Sequence, residues 1–94
     1  MEKNENSLTH RDINVCDDQP AQEGDPITWH NLRGFPVQVH FDTPDGCPLD
    51  ECHFPVPAHG THDNNVKANV PKVPYHYRVE PECGHLANPK IIIQ

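Results

Sequence analysis

Apolar and polar residues alternate along most of this chain, in short runs broken by turn formers. The clearest run is Phe35-Pro36-Val37-Gln38-Val39-His40-Phe41, which puts Val37, Val39 and Phe41 on one face and Gln38 and His40 on the other. A period of two marks a strand with one buried face. Strands are likewise predicted at Ile27-Thr28-Trp29, His53-Phe54-Pro55-Val56, Val66-Lys67-Ala68-Asn69-Val70, Tyr75-His76-Tyr77-Arg78-Val79 and Lys90-Ile91-Ile92-Ile93. Turn chemistry separates them at Gln19 to Pro26, Asp42 to Gly46, Pro57 to Gly60 and Asp63-Asn64-Asn65, and His30 to Gly34 reads as a loop. About six to eight short strands with no helical period predict an all-β sandwich or barrel. Residues 1–23 hold one alternation, Ile13-Asn14-Val15-Cys16. They are expected to form a polar N-terminal segment with a first strand, ahead of a sandwich over 24–94.

Composition sharpens this picture. At 94 residues the chain is one small domain, and only 34% of it is hydrophobic, below the usual ~45–50%. Eleven prolines account for part of the deficit and argue against long helices, where each would cost about 3 kcal/mol. The formal charge of -7, with seven scattered basic residues, excludes the clustered cations that nucleic acid or an anionic membrane requires. The polar start, Met1 to Ser7, shows no apolar leader, and the longest apolar run, Ile91 to Ile93, is far too short to span a bilayer. A cytoplasmic location is therefore expected. In that reducing setting the four cysteines read as thiols or metal ligands, with disulfides the lesser reading.

Two segments together resemble a known family. Gly24-Asp25-Pro26-Ile27-Thr28-Trp29-His30-Asn31, followed by Gly34-Phe35-Pro36-Val37-Gln38-Val39-His40-Phe41-Asp42, looks like the early strands of plastocyanin- and azurin-type cupredoxins. The Tyr75 to Val79 run and the closing isoleucines resemble the family's last hairpin. The likeness spans residues 24–94 and implies a Greek-key β-sandwich. It also implies electron transfer through type-1 copper, held by two histidines, a cysteine thiolate and usually an axial methionine. Carried over by position, the first histidine's place holds Val37 and the cysteine's place holds Val79, while Met1 is the only methionine. The fold is thus expected without its copper site. His40 cannot substitute, because alternation sends it to the face opposite Val37. Cys83-Gly84-His85 falls in the loop where the resemblance implies ligands, at a tighter spacing than the family uses.

The best metal candidates lie elsewhere, in Cys47-Pro48-Leu49-Asp50-Glu51-Cys52-His53, followed by His59 and His62. Thiolates with imidazoles suit Zn²⁺ or copper, so Cys47, Cys52 and His53 are the candidate ligands. The plainer alternative makes the two cysteines free thiols or a local disulfide beside solvated histidines. Cys16 reads as a small buried hydrophobe. Trp29, Phe35, Phe41, Tyr75 and Tyr77 read as core, and Asp42, Asp45, Asp50 and Glu51 as a solvated acidic face that could steer a basic partner. Ser7 is the one serine and no phosphate-cradling glycine loop occurs, so no catalytic set is evident. The chain is therefore expected to be a small cupredoxin-like binding or interaction module, neither a type-1 copper carrier nor an enzyme. Its partner would be a protein, met through loops His30–Gly34 and Glu80–Asn88 around an apolar patch from Val37 and Leu86. The alternative is a Zn²⁺ or copper-binding protein using the Cys/His cluster.

Overall fold

The inward residues of each alternating run are the ones shielded from water. The computed structural model describes residues 10–41, 46–81, 83–84 and 88–94. Their strands are β1 (Arg11–Asn14), β2 (Gln19–Ala21), β3 (Pro26–His30), β4 (Val37–His40), β5 (His53–Val56), β6 (Thr61–Asn65), β7 (Pro74–His76), β8 (Arg78–Glu80) and β9 (Lys90–Ile93). They form three three-stranded sheets in the orders β1-β3-β6, β2-β9-β7 and β5-β4-β8. β1 runs parallel to β3 and β2 parallel to β9, while the other pairings are antiparallel.

Inward side chains from all three sheets meet in one core around Trp29, which is fully buried. The indole ring lies 5.1 Å from Tyr77, 5.4 Å from Phe54 and 6.2 Å from Phe41 between centroids. Burying a tryptophan contributes about 4–6 kcal/mol before entropy is counted. Its N–H donates to Asn64 Oδ1 at 3.1 Å, which satisfies the ring's one polar group. Tyr75, Tyr77 and Val79 are all buried, as their alternation predicts, yet they occupy no single strand. Tyr77 separates β7 from β8, and there the chain passes from the sheet of β9 to that of β4.

Four expectations are revised. Gln19 to Ala21, expected to open a turn, form β2 instead, and among the described residues of 1–23 both β1 and β2 pair with strands of the 24–94 body. Asp63, Asn64 and Asn65 lie in β6 instead of a turn, because the backbone of β3 supplies an antiparallel partner along its whole length. The strand expected at Val66 to Val70 shrinks to a single bridge between Val66 and Leu49, after which the chain turns through Asn69 at φ 63°. Phe35 is outside the core, 45% exposed, since it precedes Pro36 in the loop before β4. No helix among the described residues is long and apolar enough to cross a membrane.

Candidate functional site

The place where the cupredoxin resemblance implies metal ligands is filled with hydrocarbon. β4 and β8 are neighbours, with Val39 opposite Val79 and Val37 opposite Val56 of β5. Val37 and Val79 are 1% and 4% exposed, inside the core. An isopropyl group has no lone pair to give a metal.

The cysteines are spent in bonds to one another. Cys47 and Cys52 form a disulfide with Cα atoms 5.6 Å apart, so the two soft ligands proposed from sequence are not thiolates. Their spacing leaves room for either outcome; only the bend of the loop that closes on β5 brings the sulfurs together. His53 sits one residue further on and points to the outer face of the β5-β4-β8 sheet, where it meets His40. The other two histidines of that segment do not join it. His59 is exposed at a left-handed turn position, and His62 stacks on Phe54 while bonding Glu51 at 2.6 Å. Among the described residues, no group of three or more His, Cys, Asp or Glu is gathered to hold a metal ion. His85, Asp42 and Asp45 lie outside the described residues.

Cys16, expected as a buried hydrophobe, instead bonds Cys83 across 67 positions of sequence. Around that bond the structure builds a braced loop end. Tyr77 Oη donates to Asp17 O at 2.7 Å and accepts from the Cys16 N–H at 3.1 Å. Burial pushes the Tyr77 hydroxyl well above its ordinary range. Asn31, 2% exposed, donates to the carbonyls of Phe35, Val56 and Pro57 and accepts from the Arg33 N–H, so it ties loop 31–36 to the turn after β5. Arg33 reaches across to Pro81 O at 2.9 Å and lies over the Phe35 ring, 5.6 Å from its centroid.

This bracing holds two large apolar side chains in water, Leu32 at 69% and Phe35 at 45% exposure. The two loops proposed from sequence do meet here, through Arg33 and Pro81. The apolar patch has different members, however. Val37 points into the core, Leu86 lies outside the described residues, and Leu32 and Phe35 take their place. A fixed exposed apolar group beside a cation can fill a pocket on another protein. Pro36, which precedes the first residue of β4, is the sequence signal that Phe35 belongs to the loop.

The described members of the acidic face, Asp50 and Glu51, are engaged by neighbours. Asp50 accepts from the Asn65 N–H and Glu51 from His62. The Arg78 guanidinium holds the Glu80 carboxyl below its usual range, with His40 adding to the effect.

No family model and no curated protein matches the chain. Solved structures do. A methionine-to-alanine mutant of amicyanin in the Cu(I) form superposes with a TM-score of 0.58 at 16% identity, covering 99% of this chain and 87% of that one. A methionine-to-glutamine mutant of amicyanin, also Cu(I), gives 0.59 at 16% identity over 90% and 82%. An oxidised proline-to-glycine mutant gives 0.53 at 19% identity over 84% and 70%. At these identities the likeness is one of fold, and it agrees with the nine-stranded, helix-free architecture of the described residues. The chain has a cupredoxin-like β-sandwich fold.

Proposed function

We propose that the chain is a non-enzymatic interaction module that engages a protein partner through the loop end bearing Leu32 and Phe35, and that it is not a type-1 copper carrier. The observation that carries this reading is the exposure of those two side chains on a loop fixed by Asn31, Arg33 and the Cys16–Cys83 bond. Side chains ordered before binding lose less entropy on docking, which favours an anchor role. The buried valines at the expected ligand positions support the exclusion of type-1 copper. The two disulfides support an oxidising compartment in place of the cytoplasm that the N-terminal sequence suggested.

A photo-crosslinking residue at Leu32, against the same residue at exposed Lys67, tests the surface in the native host. The reading expects a discrete adduct from position 32 alone. The captured protein, once purified, should bind the wild-type chain about tenfold more tightly than L32D. Identical adducts from both positions, or equal affinity for L32D, would contradict it.

A further inference from the structure

We propose that His40 and His53 form a chelating site for a divalent transition-metal ion, Cu²⁺ foremost, on the outer face of the β5-β4-β8 sheet. The site is separate from the type-1 position and does not depend on the interaction reading above.

The backbone sets the pair. His40 lies opposite His53 in the antiparallel β4–β5 register. The next pair along, Phe41 and Cys52, is hydrogen-bonded, since the Phe41 N–H donates to Cys52 O at 2.8 Å. Antiparallel ladders alternate, so His40 and His53 occupy a non-hydrogen-bonded position, where facing side chains come closest. The following non-bonded pair is Gln38 with Pro55, and a proline there loses no ladder bond.

The side chains complete it. The Nδ1 atoms of His40 and His53 are 2.8 Å apart, so one nitrogen donates and the other accepts. Glu80 Oε1 lies 3.3 Å from His40 Nε2 and can only accept. With both rings neutral, His40 therefore carries its proton on Nε2 and offers the Nδ1 lone pair, while His53 donates from Nδ1. A single proton sits between two nitrogens that could both face a metal. When His53 moves that proton to its own Nε2, both lone pairs become free, and each ring turns about χ2 to aim at the ion.

The spacing allows one ion to bridge both rings. Two metal–nitrogen bonds of about 2.0–2.1 Å at a right angle place the nitrogens about 2.9 Å apart, whereas a tetrahedral angle needs about 3.3 Å. The 2.8 Å separation is set by the hydrogen bond between the rings, and it puts both nitrogens within reach of one ion after small ring rotations. Cu²⁺ heads the affinity order for nitrogen ligands. Glu80 supplies the outer carboxylate that fixes a ligating imidazole, and Arg78 anchors Glu80 at 3.1 Å. Solvent on this open face provides the remaining ligands. Two imidazoles with water explain why no three-residue group marks the site.

Titrating the full chain with Cu²⁺ against a weak competing chelator, read by electron paramagnetic resonance, tests the proposal. The wild type should bind one ion at this site with an axial signal split by two nitrogens. H40Q and H53Q should lose that species, H59Q should keep it, and E80Q should weaken it about tenfold. The ion should raise the Tm of the wild type and not that of H53Q, which separates binding from misfolding. Equal binding by wild type and H53Q, binding by neither, or the same loss in H59Q would overturn the proposal.

Discussion

The two faces of the β5-β4-β8 sheet come from the same three strands and have opposite chemistry. The inner face presents Val37, Val39, Phe54, Val56 and Val79 to the core, all 4% exposed or less. The outer face presents Gln38, His40, His53, Arg78 and Glu80, joined by the contacts between His40, His53, Glu80 and Arg78. The difference is one residue of register. On this scaffold the inner face is where the resemblance implies a metal, and here it is hydrocarbon. The groups able to bind a metal all stand on the other side. Alternation with a period of two makes each assignment exclusive, because a side chain that packs in the core cannot also reach the outer cluster.

The comparison can be broken at the braces that hold the sheets together. The double variant C16S/C83S removes a link across 67 positions and is expected to lose about 4 kcal/mol in urea unfolding, by loop-closure entropy. The matching C47S/C52S, which opens a loop with a separation of 5, is expected to lose about 2 kcal/mol. Thiol titration of the native protein without reductant should find no free cysteine. Equal losses from the two doubles would mean that the long-range bond does not tie the loop end to the core.

Within the sheet itself, adjacent residues of β4 should respond differently. Val39→Ala is expected to cost about 2–3 kcal/mol through the cavity it leaves, while His40→Ala stays within about 0.5–1 kcal/mol. Chemical denaturation of both variants measures the contrast, and similar losses would show that the face assignment is wrong.

A smaller effect is set by pH. Tyr77 ionises near its ordinary value of about 10 in the unfolded chain, but burial raises it in the folded one. Its contribution is therefore intact below that pH and is lost as pH rises above it, by about 1.4 kcal/mol per pH unit. Tyr77→Phe should flatten this alkaline loss. Tyr75, pushed upward by burial as well, keeps part of it.

Much of this was legible in the residues. The alternation of Val37, Val39 and Phe41 gives the inner face directly, and it places His40 outside. Trp29, Tyr75 and Tyr77 are core as their spacing implies. What local pattern misses is whatever a distant partner decides. Thr61 to Asn65 has no strand-like composition, yet β3 pairs with it and Asn64 receives the Trp29 N–H. The pairing of Cys16 with Cys83 depends on Cα atoms 5.6 Å apart after folding, which no spacing encodes. Phe35 looks like the first inward residue of β4, but Pro36 and the cation of Arg33 hold it in the loop. The His40–His53 contact needed the strand register, since 13 positions separate them.

The most direct test is the visible spectrum of the purified, oxidised protein as Cu²⁺ is added. Two valines at the inner position and no free thiolate predict no intense absorption, only the weak bands of imidazole-bound copper that vanish in H40Q/H53Q. A strong blue colour that survives in that double variant would contradict the account.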